Sequence, residues 1–385
     1  MQTPAEHEIA QLTALRRDLH RHPDLSGAEG PTARRITAAL APFGPDRLWQ
    51  GLGGHGVAAE FRGAGAGPSV LLRCELDGLP IQETGSRPYR STTDGRGHLC
   101  GHDGHMVTLL GVARHLIRRP DWGRVILLFQ PAEETGAGAK AVIADPRWPD
   151  LRPDFAFAWH NVPGRPLGEI GLCPGPGNCA SRGMQICLQG ESSHAATPED
   201  GVSPGQAMAA LMQQLPALGG GAIDTPDFAR ITLTHARLGA PSFGIAPGEG
   251  EVRATLRSRD DARMATLVAE AEALVARQAS GLDVRHHWHD VFPAVVNDAE
   301  ATIIAREVAQ VQGRHCHEMT VPMRWSEDFG HFGIDGARAT LLYIGAGTDH
   351  PQLHNSDYDF PDALIPQAAD LLAGIVDRIL GPART

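Results

Sequence analysis

Basic charge is in short supply in this 385-residue chain. Thirty-four Lys and Arg face 45 Asp and Glu, for a formal net charge of -11. Nucleic-acid binders usually present a basic face, so no nucleic-acid partner is expected. Long apolar runs are missing as well. None reaches the roughly 20 residues that cross a bilayer, so no membrane partner is expected either. The opening stretch MQTPAEHEIAQLTALRRDLHRHPDL lacks the apolar core of a secretion signal. Ile9, Leu12, Leu15 and Leu19 instead recur at helical spacing. The six cysteines include no CxxC pair, which argues against a zinc ribbon or a disulfide framework. Reduced thiols and a cytoplasmic location are the resulting expectation. Internal repeats and low-complexity tracts are also missing.

What is present is an ordinary globular composition, 42% hydrophobic and 21% charged, in a chain long enough for two domains. SVLLRCELD reads as a buried strand ending near Asp77, and RVILLFQPAEE as another ending at two glutamates. DFAFAWHN ends at His160, and ATLLYIGAGTDHPQLHN runs through a glycine-rich loop to His354. Helical patterns lie between them: one from Met106 to Ile117, one from Ala301 to Gln312 and one from Leu364 to Leu380. This alternation predicts an α/β fold with a mixed, largely parallel sheet. Ligands in such sheets bind beyond the carboxyl ends of the strands, where the polar clusters fall. From about Arg182 the pattern changes to a compact β-α-β-β-α-β layout. The predicted organisation is a discontinuous catalytic domain, 1–180 and 293–385, with a smaller α+β domain, 181–292, inserted into it.

The stretch GHLCGHDGHM, residues 97–106, concentrates side chains that bind metals. Cys100 and His102, two apart in a predicted loop before a helix, can converge on one ion, and thiolate and imidazole both suit zinc. Asp103 could orient a ligand imidazole from behind, while His105 reads as a plain helix N-terminal residue. Glu133 and Glu134 follow a strand directly. Adjacent side chains there point apart, so one can bind metal while the other serves as a base. An acidic helix N-terminus explains the pair equally well. His160 and His354 each precede an asparagine. Together Cys100, His102, Glu134, His160 and His354 are too many ligands for one catalytic zinc, which keeps an open position. They suit two metals sharing a bridge.

In chain order, RRDLHRHPDLSGAE, LLRCELDGLPIQE, CGHDGHMVTLLG, LLFQPAEETGAGAKAVI, WHNVPGRPLGEI, SSHAATPEDGVSP, SEDFGHF and LHNSDYDF resemble the metal-dependent amidohydrolases. That family includes the N-acyl-amino-acid, hippurate and auxin-conjugate hydrolases, within the aminoacylase and di-metal carboxypeptidase superfamily. The resemblance implies a di-metal peptidase-like domain with an inserted lid or dimerisation domain. It implies Cys100, His102, Glu134, His160 and His354 as metal ligands, with Cys100 as the bridge, and Glu133 as catalytic base. It implies His194 as a lid residue that reaches the active site, in its own subunit or a partner's. The cofactors it implies are two divalent ions per subunit, manganese or zinc first, cobalt or nickel second. The partners are a small N-acyl substrate and a second copy of the chain. Dipeptides and N-carbamoyl amino acids are alternative substrates, and a non-catalytic metal-binding protein is the alternative class. The chain departs from the family pattern at Glu75 in RCELD, at Pro198-Glu199 and at Phe243-Gly244, the last where the family usually has a substrate-binding asparagine.

Overall fold

Alternating apolar runs and helical stripes determine how the chain is layered. In the computed structural model, residues 6–382 are described. The chain groups into two units: one of residues 1–175, 296–320 and 328–385, the other of residues 176–295 and 321–327.

In chain order, the first part of the larger unit holds α1 (Glu6–Arg21), α2 (Gly30–Leu40), β1 (Arg47–Leu52), β2 (Gly56–Arg62) and β3 (Gly65–Glu75). It continues with α3 (His102–His115), β4 (Trp122–Gln130), α4 (Gly138–Ile143), β5 (Phe155–Pro163) and β6 (Ile170–Leu172). The strand Arg338–Gly347 and the helix Leu364–Leu380 come from the C-terminal part. One eight-stranded sheet results, in the order β1, β2, β4, β3, β5, Arg338–Gly347, β6 and Cys316–Glu318. The four central strands, β4, β3, β5 and Arg338–Gly347, run parallel. Their carboxyl ends therefore share one edge. The strands are buried on both faces, as Val70 to Leu72, Val125 to Phe129 and Leu341 to Ile344 show. That explains why they read as continuous apolar runs and not as alternating ones.

Helix α3 packs against α1 and the helix Leu364–Leu380. Met106, Val107, Leu109, Leu110 and Val112 are all buried. A helix enclosed on so many sides needs no polar stripe. Truncating one such side chain, for example Leu109→Ala, should cost about 2 to 5 kcal/mol.

The smaller unit has its own core. Its antiparallel sheet has the strand order Ala229–Leu238, Glu249–Ser258, Ala180–Gln189, Asp283–Phe292. Met184, Ile186, Leu188, Val252, Ala254 and Leu256 alternate inward along it. They meet Met208 and Leu211 of the helix Gly205–Gln214 and Met264, Leu267 and Leu274 of the helix Asp261–Gln278. The chain order is β-α-β-β-α-β. No helix among the described residues is long and apolar enough to cross a membrane.

Candidate metal centre

The shared carboxyl edge of the parallel strands collects the polar residues of the larger unit. After β3 the chain turns through Asp77, which is fully buried. Its carboxylate Oδ2 accepts from the Ser26 hydroxyl at 2.7 Å and from the backbone N–H of Glu134 at 2.9 Å. Its backbone carbonyl accepts from Nδ1 of His102 at 2.8 Å. One residue thus orients both an imidazole and the glutamate pair. After β4, Ala132 adopts a left-handed φ of 50°, and its N–H donates to Glu29 Oε1 at 2.8 Å. That turn separates Glu133 and Glu134 from the strand. The chain then folds back so closely that a Cβ at Gly138 would stand 1.6 Å from the carbonyl oxygen of Pro131.

His102 is the first residue of α3, where a loop was expected, so the helix begins inside the motif. Gly101, at a φ of 94°, provides the left-handed residue that reverses the chain between Cys100 and His102. His160 lies within β5, three residues before its end, and its Nδ1 donates to the carbonyl of Asn161 at 2.9 Å. His354 takes a φ of 67°, and its backbone N–H donates to the Leu99 carbonyl at 2.8 Å, beside Cys100.

Five donor groups form among the described residues: Glu75, His102 and His105; His102, Glu133 and Glu134; Glu133, Glu327 and Asp328; and two triads that share Cys100. Cys100, His102 and His160 present Sγ and ring nitrogens within 4.8 Å of one another, and so do donor atoms of Cys100, Glu134 and His354. Cys100 belongs to both. Its Sγ is 3.4 Å from His160 Nε2. The two oxygens of Glu134 face different imidazoles, 3.8 Å from His102 Nε2 and 3.7 Å from His354 Nε2. Glu133 Oε2 lies 4.0 Å from His102 Nε2, beside the triads. The structure thus brings together six of the seven expected site residues. The seventh, His194, belongs to the smaller unit, on the short strand Ser193–His194 paired with Ile245–Ala246. It is exposed, and its Nδ1 accepts from the N–H of Ala196 at 3.0 Å.

The donor set fits divalent metal. His102 Nε2 is buried with no hydrogen-bond partner, a costly arrangement for an imidazole unless an ion takes its lone pair. Burial pushes the Cys100 thiol well above its ordinary range, and Glu134 adds to the rise. Burial opposes charge on His102, but Cys100 and Glu75 outweigh it and raise its pKa. Burial and His105 hold His160 low, in the neutral form that ligates.

Asp103 does not orient a ligand imidazole. It faces away from the triads, and its Oδ2 lies 2.8 Å from His20 Nδ1 and 3.4 Å from Arg16 NH1. Asp77 holds His102 instead. His105 is more than a helix-end residue, for it bridges Glu75 Oε2 and Asn161 Oδ1, each at 2.6 Å. Arg73, Asp328, Glu29 and Asn161 were not singled out from the sequence. The segments RRDLHRHPDLSGAE and SEDFGHF held the only signal for Glu29 and Asp328, as stretches that resemble the family.

Donor groups that share one buried cysteine at the carboxyl edge of a largely parallel sheet fit a metal centre, and the matches to known proteins make the chain a metal-dependent amide hydrolase. Residues 71–378 match the peptidase family M20/M25/M40. The chain is 32% identical over 377 residues to an N-acetylcysteine deacetylase of Bacillus subtilis, covering 96% of this chain and 97% of that one. It is 29% identical over 375 residues to the hippurate hydrolase of Campylobacter jejuni, with 96% and 97% covered. A solved dinuclear metal-binding peptidase of the M20 family from Bacillus subtilis superposes with a TM-score of 0.81 at 25% identity, covering 98% of this chain and 99% of that one. The chain belongs to the M20/M25/M40 peptidase family.

Proposed function

We propose that this enzyme hydrolyses the amide bond of small N-acyl amino acids or related N-acyl amines, using two divalent ions. Cys100, His102 and His160 would hold one ion, and Cys100, Glu134 and His354 the other. The observation that carries this reading is the membership of Cys100 in both triads. A shared thiolate would let one side chain serve both ions, as a hydrolytic di-metal site requires. One soft thiolate and three imidazoles favour zinc, with cobalt or nickel next, and manganese rests on the family resemblance and the single carboxylate. When bound, the ions supply Lewis acidity to the attacking water and the substrate carbonyl.

The chain's own residues do the rest. Glu133 takes the proton from the attacking water and delivers it to the leaving nitrogen, which departs as a neutral amine. Its absence from both triads that contain Cys100 supports that division from Glu134. His194 donates a hydrogen bond to the carbonyl oxygen as negative charge develops there. Asp77 holds Nδ1 of His102 so that Nε2 is the atom presented. The N-acyl amino acid class is supported by the activities named for the two relatives. A cytoplasmic setting, with all six cysteines as free thiols, belongs to this reading. So does a homodimer formed through the smaller unit.

Chelator-stripped protein should regain turnover with added Zn²⁺ or Mn²⁺ on N-acetyl and N-benzoyl amino acids, read as release of free amino acid. Faster turnover of dipeptides or N-carbamoyl amino acids would reassign the substrate. No turnover of any of these with either ion would overturn the proposal.

A further inference from the structure

We propose that Asn161, together with His105 and Tyr358, is a positioning unit that sets the spacing of the two triads. The inference rests on the ligand assignment above, and none of the three is itself a ligand in it.

Asn161 directly follows His160 on β5 and is fully buried. Its Oδ1 lies 2.6 Å from His105 Nε2, and its Nδ2 donates to the Tyr358 hydroxyl at 2.5 Å. His105 stands one turn beyond His102 on α3, and Tyr358 lies on the loop that continues from His354. The same amide packs against Gly101, between Cys100 and His102, where a Cβ would stand only 2.5 Å from Oδ1. A single side chain therefore touches the turn, the helix and the loop that carry Cys100, His102 and His354, while its own strand carries His160; Glu134 is held separately, through Asp77. The network also has a rigid end. His105 Nδ1 lies 2.6 Å from Glu75 Oε2. Glu75 is paired with Arg73, and Arg73 NH2 lies 2.6 Å from Asp328 Oδ1. His105, Glu75, Arg73, Asp328 and Tyr358 are all buried.

An amide held on both sides by partners from different segments keeps one orientation, because turning it breaks buried hydrogen bonds. Metal ligands need placement within about 0.2 Å, which the four ligand-bearing segments could not keep if they moved independently. Loss of such a partner behind the ligands typically lowers metal affinity or activity about 10- to 100-fold.

The test uses Tyr358→Phe, which removes only the hydroxyl, and His105→Gln, which keeps a polar group but reaches one partner at most. Zn²⁺ alone is titrated by calorimetry into chelator-stripped protein, and the melting temperature of the stripped protein is measured alongside. Wild type should take up two ions. His105→Gln should lose about 10- to 100-fold in affinity for at least one ion, and Tyr358→Phe should lose in the same direction by less. A lowered melting temperature with unchanged affinity for both ions would make these residues ordinary core and overturn the proposal. If His105→Gln does not fold, Tyr358→Phe decides alone, and wild-type affinity for both ions overturns it. A wild-type chain that takes up no ion would instead overturn the ligand assignment on which the proposal rests.

Discussion

In the proposed chemistry the adjacent glutamates past the turn after β4 take different roles because the chain directs them differently. Glu134 is anchored through its own N–H to Asp77, and its two oxygens face His102 and His354. Glu133 stands to the side of that contact. Glu133→Ala should keep near-normal metal content and lose nearly all turnover, whereas Glu134→Ala should lose metal. Elemental analysis of both purified variants checks this, and the reverse pattern would exchange the two roles. His194 has a different signature. A donor that acts only on developing charge affects kcat far more than KM. His194→Ala should lower kcat by roughly a hundredfold or more with metal content unchanged. Steady-state kinetics on an N-acyl amino acid read this out, and full activity would remove His194 from the mechanism.

The helices α1 and α3 are joined by a buried ionic network that local sequence could not reveal. Arg16 NH1 lies 2.7 Å from Asp359, and its Nε lies 2.8 Å from Asp362. His20 sits between Asp103 and Glu83, edge-on to Tyr89. Burial opposes charge on His20, but Asp103 and Glu83 together lift its pKa to about 9. Burial would raise Asp103, yet His20 and Arg16 hold it well below the usual carboxylate range. The two groups act at opposite ends of the pH scale. The stability from His20 is complete below its ordinary pKa of 6.5 and is lost as pH rises through 9. That from Asp103 is present above its ordinary 3.8 and is lost as pH falls. Melting temperature should therefore drop between pH 6.5 and 9.5, and His20→Gln should flatten that drop. An equal drop in wild type and variant would detach His20 from it. Strands and helices were legible because period and apolar runs are local. The helix Leu364–Leu380 matches its sequence reading to the residue, while the strand read from SVLLRCELD ends two residues earlier than expected, at Glu75, and begins four earlier, at Gly65. Cys100 and His102 stand out because GHLCGHDGHM crowds metal-binding side chains into ten residues, and the glutamate pair because it comes soon after the apolar run of β4. Asp103 was misread because its partners, Arg16 and His20, lie 87 and 83 residues away, and spacing carries no trace of such pairs. His105 was undervalued for the same reason, since Asn161 is 56 residues distant.

At the scale of the whole molecule, assembly is the expectation that solution measurement must decide. The sheet of the smaller unit ends in the strands Ala229–Leu238 and Asp283–Phe292. An outer strand offers unpaired backbone groups to a second chain. Light scattering on the purified protein should give twice the 41.0 kDa chain mass. A monomer throughout the micromolar range would contradict the proposed dimer. Everything proposed about chemistry depends on one feature, that a single cysteine serves two ions. The most direct test is an anomalous-scattering map from a crystal grown with Zn²⁺, collected at the zinc edge. The account predicts two peaks about 3.5 to 4 Å apart, each at roughly 2.3 Å from Cys100 Sγ. One peak alone, or two peaks with Cys100 on neither or only one, would contradict it.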